Sequence, residues 1–297
     1  MRRLLIIGCG DIGQRMISMV RGRWRIYALS RSPERFAALR ALGIMPVRGD
    51  LDKPQTLGAI AGLAHDIVHF APPPNHGDHD TRTAHLIAAL AKGKSLPQQL
   101  VYISTSGVYG NCSGALVAET RPVRPRTDRA RRRADAERRL RRWGMCSGVR
   151  VSILRVPGIY AADRLPLARV KQGTPALNPE DDSYVNHVHA DDLCRIVVAA
   201  LHRGQPNRMY NAADDAPQKM GDYFDLVADR FGLPRPRRIS RAEAAHTIPE
   251  NLLSFMNESR RLVNRRIKQE LRLRLCYPTV HDGIAAALAG RTARAKR

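Results

Sequence analysis

The chain has 297 residues, 43% of them apolar and with no run of about 18 apolar residues, so it can bury a large core and no membrane-spanning helix is expected. Five cysteines, Cys9, Cys112, Cys146, Cys194 and Cys276, contain no Cys-x-x-Cys pair, and the apolar stretch after Met1-Arg2-Arg3 stops too soon for an export signal; disulfide framework, zinc site and secretion are disfavoured and a cytoplasmic protein is expected. The net charge of +23 is nearly all arginine, with 5% aromatic residues and no interleaved stacking pattern, which suits solvated helix faces better than specific nucleic-acid recognition.

Leu4 to Ile7 reads as a strand buried on both faces, and Gly8, Gly10 and Gly13 follow with the G-x-G-x-x-G spacing of a strand-to-helix turn over a pyrophosphate. Gly8 permits the tight turn, Gly10 lets backbone approach phosphate, and Gly13 brings the helix close to the sheet. The helix through Val20 then aims its first amides, those of Asp11, Ile12 and Gly13, at the anion. Asp11 reads as a cap or a solvent-pointing side chain.

Arg25 to Leu29 is the second strand, ending at Ser30, Arg31 and Ser32. An acidic residue here would hold a free ribose 2′-hydroxyl, whereas an arginine accommodates a 2′-phosphate; Arg31, with Arg35 a turn further on, favours NADP over NAD. A helix between Pro33 and Gly43, a third strand from Ile44 to Val47, the Gly49-Asp50-Leu51 closure, a helix to about Leu63 and a fourth strand from Asp66 to Ala71 follow. Pro72-Pro73-Pro74 ends that strand in an extended loop past the far ribose and nicotinamide. His76, His79 and His85 with Asp78 and Asp80 have no ligand pair on one helix face, so caps are expected and no metal. A helix from Thr81 to Ala91 leads to a fifth strand, Leu100 to Ser104. The strand-helix alternation requires a parallel sheet with helices on both faces.

The most specific string is Ser104-Thr105-Ser106-Gly107-Val108-Tyr109-Gly110. Together with the glycine turn, Gly49-Asp50-Leu51, Arg155-Val156-Pro157-Gly158-Ile159-Tyr160, Asn186-His187-Val188-His189-Ala190-Asp191-Asp192 and Tyr210-Asn211-Ala212-Ala213-Asp214, it resembles the extended short-chain dehydrogenase/reductases, the NAD(P)-dependent epimerase and dehydratase group. The resemblance implies an α/β fold of Rossmann type, a doubly wound parallel sheet with a smaller, mostly helical C-terminal substrate lobe. On that reading 1–162 bind the dinucleotide and 184–213 return to that domain, 163–183 and 214–290 form the substrate lobe, and 291–297 are a frayed basic tail.

The resemblance also implies site roles. Thr105 would hydrogen-bond the substrate oxygen, Ser104, Ala71, Pro72 and Pro73 would flank the cofactor, Asp50 and Leu51 would approach the adenine, and Pro157 would lie beside the nicotinamide. Counting from Pro125, the family's catalytic tyrosine and lysine fall on Arg129 and Arg133, with Glu137 in step. Arginine stays protonated and only donates, so Arg133 could grip the ribose or a phosphate and Arg129 could orient an anionic substrate or polarise a carbonyl. Tyr160 and Tyr109 are candidate replacement proton donors. The glycine turn is one residue shorter than the superfamily's, and Val185 stands before His189 where many nucleotide-sugar enzymes carry arginine, which weakens a sugar-nucleotide substrate.

The helix from Asp128 to Arg142 repeats Ala130, Ala134, Glu137 and Leu140 at helical spacing, so one stripe packs while the arginines stay in water. With the Thr81 helix it is a candidate homodimer interface. A sixth strand runs from Val149 to Arg155, a return from Val185 to Val188 and a last strand from Met209 to Ala212; helices are expected over 220–231, 241–245, 249–255, 262–271 and 280–288. Two functions stay open: an oxidoreductase or epimerase-like enzyme without the Tyr-Lys pair, acting on a small anionic or sugar-nucleotide-like molecule, and a non-catalytic NADP-binding sensor.

Overall fold

The computed structural model describes residues 1–249, 252–253 and 256–295, the last five by backbone alone. The first strand, β1 (Arg2–Ile7), feeds helix α1 (Asp11–Val20) and then β2 (Trp24–Ser30), α2 (Phe36–Ala41) and β3 (Met45–Arg48). Next come β4 (Asp66–His69), α3 (Thr81–Ala91), β5 (Gln99–Thr105), the short β6 (Leu116–Val117), α4 (Asp128–Ser147) and β7 (Arg150–Val156). The chain continues through β8 (Gly158–Tyr160), α5 (Leu167–Lys171), β9 (Ala176–Leu177), β10 (Tyr184–Val185), β11 (His187–His189), α6 (Ala190–Arg203) and β12 (Arg208–Asn211). After β12 come α7 (Met220–Arg230), short helices at Arg241–Thr247 and Arg265–Gln269, and a closing helix, Val280–Ala295.

Seven strands form one parallel sheet in the order β12-β7-β5-β4-β1-β2-β3, so the strand order reverses between β1 and β4. Alternation of side chains in β1 explains the layering. Leu4 and Ile6 join Met16, Ile17 and Val20 of α1 and Leu193 and Val197 of α6 on one face. Leu5 and Ile7 join Leu86 and Leu90 of α3 and Ala136 and Leu140 of α4 on the other. Burying both faces is what makes a near-continuous apolar strand stable in a parallel sheet. This is the Rossmann-type α/β architecture expected.

Some elements depart from the sequence reading. The helix expected to run to about Leu63 is two 3₁₀ turns, Pro54–Thr56 and Gly58–Ile60. Pro54, Gly58 and Gly62 deny it an α-helical run, and burial of Leu57 and Ile60 against the sheet holds the turns in place. The helix expected over 262–271 is a short strand at Arg261–Leu262, paired parallel with β6, and a shorter helix. The closing helix continues to Ala295 rather than ending at Leu288 in a frayed tail; Lys296 and Arg297, and part of the helix expected over 249–255, lie outside the described residues.

In α4 the expected stripe is buried: Ala130, Ala134, Glu137 and Leu140 face inward. The arginines are not all in water, however. Arg132 is buried and donates to the Gly77 carbonyl, and Arg133 donates to the Tyr102 hydroxyl at 3.0 Å and the Ile103 carbonyl at 2.7 Å. Asp135, which could have answered charge from a second copy, already takes Arg138 and Arg139 of its own helix at 2.9 and 2.7 Å.

Segments outside the sheet build a second core, in which Tyr160, Val170, Tyr223, Phe224, Val227, Val280 and Ile284 pack together. Its link to the sheet is β11, paired parallel with β8 so that His187 stands beside Gly158. That pairing brings this second core over the C-terminal ends of β5 and β7.

Candidate active site

A cavity of about 780 Å³ opens at the carboxyl ends of β1, β2 and β4, where the strand order reverses. Gly8, Gly10, Asp11, Ile12 and Gly13 line it, with Ser30, Arg31, Asp50, Leu51, Ala71, Pro72 and Arg133. The glycine turn makes its floor. Gly8 has φ +87°, and a Cβ there would sit 2.6 Å from the Ala71 nitrogen, so only glycine closes this turn against β4. A Cβ on Gly10 would meet nothing within 4 Å, leaving the backbone bare toward the cavity. The close packing expected at Gly13 is looser than the motif suggests, since a Cβ would find its neighbours at 3.5 Å or more.

No side chain caps the first turn of α1. Asp11 caps nothing and is exposed, as the solvent-pointing alternative had it, but it is ion-paired there: it accepts from Arg15 and Arg164 at 2.7 Å each, while Arg15 also reaches Asp163 at 2.5 Å. These pairs tie the 163–164 segment over the glycine turn. Burial pushes the Asp11 carboxyl up, but the hydrogen bonds from Arg164 and Arg15 outweigh it and hold the group below its ordinary range.

Basic side chains ring the cavity. Arg35 donates to the Cys9 carbonyl at 2.7 Å, so it braces the glycine turn from above. Arg82 donates to the Pro72 and Pro73 carbonyls and pairs with Asp52 at 2.6 Å, which seats the proline loop. Local sequence gave no sign of Arg82 or Arg164. Pro73 and Ser104 do not line the cavity: Pro73 is buried in the loop, and the Ser104 hydroxyl donates to Glu137 at 2.6 Å. Glu137 in turn holds Arg155 at 2.7 Å, both side chains about 5% exposed.

A second cavity, about 290 Å³, lies beyond the end of β5 and is lined by Thr105, Ser106, Gly107, Arg129, Pro157, Val185 and His187, among others. Arg129 and Arg133 stand one helical turn apart on α4, so one faces each cavity. The Thr105 hydroxyl accepts from the Gly107 amide at 3.2 Å, which leaves its own proton available for a ligand oxygen. Burial and the charges of Arg132, Arg133 and Arg260 pull Arg129 below the ordinary arginine value, against the nearby Glu258. Arg169, Glu258, Arg260, Tyr223 and Phe224 complete this wall, and none was singled out from sequence. They arrive from segments far apart in the chain, none carrying a local motif.

The candidate proton donors do not reach either cavity. Tyr160 is 1% exposed, donates to the Thr279 carbonyl at 3.0 Å and packs edge-on against His187 and His189; burial raises its pKa. Tyr109 donates to Asn211 at 2.8 Å, and burial pushes it up to about 12. His187 does reach the small cavity. It is buried, its Nδ1 has no hydrogen-bond partner, and burial lowers its pKa to about 4.

The His76–His85 stretch is accounted for by other contacts. Asp80 caps α3 by accepting from Thr83 at 3.0 Å, His85 bonds the Leu51 carbonyl, and His79 lies near Asp78 and Asp135. Among the described residues no group of three or more histidine, cysteine, aspartate or glutamate side chains is arranged to hold a metal, no cysteine is paired, and no helix is long and apolar enough to cross a membrane.

Comparison with known proteins agrees with this fold. A functionally unknown conserved protein from Silicibacter pomeroyi DSS is 27% identical, with 98% of this chain and 99% of that one covered and a TM-score of 0.79. The dTDP-glucose 4,6-dehydratase of Bacillus anthracis str. Ames, solved with NAD, is 16% identical over 100% of this chain and 98% of its own, with a TM-score of 0.78. The UDP-glucose 4-epimerase of Thermotoga maritima, solved with UDP-glucose, is 14% identical over 98% and 99%, with a TM-score of 0.77. No curated protein matches the chain. The profile of the NAD dependent epimerase/dehydratase family matches residues 4–213, the whole parallel sheet beyond the first two residues of β1, and the chain belongs to that family.

Proposed function

We propose that the large cavity binds a nicotinamide dinucleotide, NADP in preference to NAD, and that the protein uses it in an oxidoreductase or epimerase-type reaction on a small molecule in the adjoining cavity. The observation that carries this reading is the pair of cavities served by one face of α4, with Arg133 in the large one and Arg129 in the small one. Gly10 leaves room for a pyrophosphate, and the uncapped first turn of α1 offers amides and a dipole to it. Arg31 lines the wall at the end of β2, where Ser30 and Ser32 accompany it and no carboxylate stands, which suits a 2′-phosphate.

When bound, the nicotinamide supplies hydride exchange. The chain's own groups then do the rest. Arg133, fixed by Tyr102 and Ile103, presents its remaining donors to the cofactor side, and Thr105 with Arg129 holds the substrate oxygen. No tyrosine replaces the family's catalytic one at this place. His187 is a neutral imidazole on the small cavity wall, one of the groups there that can exchange a proton, beside Tyr184, Tyr223 and Glu258. A second reading, cofactor binding without turnover, draws on the same substitution of Arg129 and Arg133 for the Tyr-Lys pair.

Purified protein should bind NADPH more tightly than NADH in a fluorescence titration, and a panel of ketones, aldehydes and sugar nucleotides should reveal turnover, read as NADPH consumption for an oxidoreductase or as a changed substrate with the nucleotide regenerated for an epimerase. Nucleotide binding with neither outcome would favour the sensor. Absence of any nicotinamide nucleotide binding would end both readings.

A further inference from the structure

The small cavity is chemically unbalanced. Arg129, Arg169 and Arg260 all face it, with Glu258 as the carboxylate among its lining residues. Glu258 pairs through one oxygen with Arg260 at 2.8 Å, its charge also favours the Arg129 cation, and Arg260 reaches the Gly110 carbonyl as well. Arg169 is placed differently. Its guanidinium stacks 4.2 Å from the centre of the Phe224 ring, its Nε is buried without a hydrogen-bond partner, and Met256 Sδ at 4.0 Å is its nearest recorded acceptor. Among the described residues no carboxylate pairs with it.

Arg169 is half-buried, its Nε fully so, and a cation partly withdrawn from water costs free energy that an anion would offset. Stacking on one ring offsets only part of that cost. The planar fork of a stacked guanidinium matches an oxyanion with two oxygens in plane. Around it Tyr184, Tyr223, Phe224 and Met220 supply an aromatic and apolar wall. Volume limits the rest of the ligand: the cavity holds about 290 Å³ beside about 780 Å³ in the dinucleotide cavity, and a nucleoside diphosphate sugar is only a little smaller than a dinucleotide.

We propose that the small cavity takes a small ligand with an aromatic or apolar body and one oxyanionic group, a carboxylate or a phosphate monoester, gripped by Arg169, and does not admit a nucleoside diphosphate sugar. This rests on the assignment of the cavity as the substrate site, and deepens it by naming the ligand class and its anchor. Thr105 lines the same cavity, and its hydroxyl proton is available to a second oxygen of the ligand.

Calorimetric titration of the full chain, with and without saturating NADPH, tests it with four probes: benzoate, phenyl phosphate, the neutral benzamide and UDP-glucose. The oxyanions should bind at least about tenfold more tightly than benzamide. UDP-glucose should not compete with them. Arg169→Met should weaken oxyanion binding by at least about tenfold, Arg169→Lys should restore part of it, and neither should change NADPH affinity. Comparison of benzoate with phenyl phosphate tells which oxyanion the site prefers. Equal affinity for benzoate and benzamide, no oxyanion binding, displacement by UDP-glucose, or indifference to Arg169→Met would each overturn the proposal, and the native-protein arms decide it even if a variant fails to fold. Loss of NADPH binding with oxyanion binding intact would instead remove the cofactor assignment alone.

Discussion

At the scale of single residues, the two glycines of the opening turn do different work and should separate in experiment. Gly8→Ala drives a Cβ to 2.6 Å from the Ala71 backbone at φ +87°, so it should lower the thermal midpoint as well as nucleotide affinity. Gly10→Ala adds a Cβ that touches nothing, so the thermal midpoint should stay within a degree or two while NADPH affinity falls. An unchanged affinity in Gly10→Ala would show that no phosphate approaches that backbone. Arg31→Ala should cost NADPH roughly tenfold or more, the worth of a charge-assisted hydrogen bond, and leave NADH unaltered. Equal loss for both nucleotides would move the 2′-phosphate elsewhere. Gly8 was legible because local backbone geometry dictates it, a turn at φ +87° against Ala71, whereas Gly10 and Arg31 were read from their places in the motif and at a strand end. Ser104, Pro73 and Tyr160 were misplaced because the same strand or loop offers two sides, and the choice was made by Glu137, Arg82 and Thr279, distant in sequence.

At the scale of elements, α4 carries the stability as well as the site. Its inward face brings Glu137 against Arg155 of β7 in a nearly dry setting, with the Ser104 hydroxyl of β5 on the same carboxylate. Glu137→Gln leaves the Arg155 charge buried without a counter-charge and should lower the unfolding free energy by about 3–5 kcal/mol in denaturant titration. The double change Glu137→Leu with Arg155→Met removes both charges and should recover much of that loss; additive costs would show that the pair is not energetically coupled. The alternation of apolar residues told which strands and helices exist, since burial on a fixed face repeats every two or about 3.6 residues. It misled over Pro54–Ile60, where apolar Leu57 and Ile60 suit the helix expected to about Leu63 but the glycines and proline do not. Nor did it say that Arg132 and Arg133 leave the solvated side of α4, because long side chains can bend back to backbone carbonyls that a periodicity argument does not see.

At the scale of the whole molecule, sheet and second core meet at β11, and that seam buries two ionisable groups with opposite pH preferences. Asp214 is 3% exposed, and burial, with the charges of Asp215 and Asp192, raises its pKa from 3.8 to about 8 against the nearby backbone amides of Ala216 and His187. Its amide donates to the His187 carbonyl at 2.8 Å, and burial lowers the His187 pKa from 6.5 to about 4. Between pH 4 and 8 the folded chain keeps the Asp214 proton that the unfolded chain has lost, so this group lowers stability steadily as pH rises through that window. Between pH 6.5 and 4 the unfolded chain takes up a proton that folded His187 refuses, so that group lowers stability as pH falls. The two oppose below pH 6.5, whereas from 6.5 to 8 Asp214 acts without His187. The native thermal midpoint should therefore decline from pH 6.5 to 8, and Asp214→Asn, which keeps the shape without the ionisation, should abolish that decline and be the more stable protein at pH 8. A native midpoint that is level across this range, or one whose decline survives Asp214→Asn, would show that water or a shift of the seam already solvates the carboxylate.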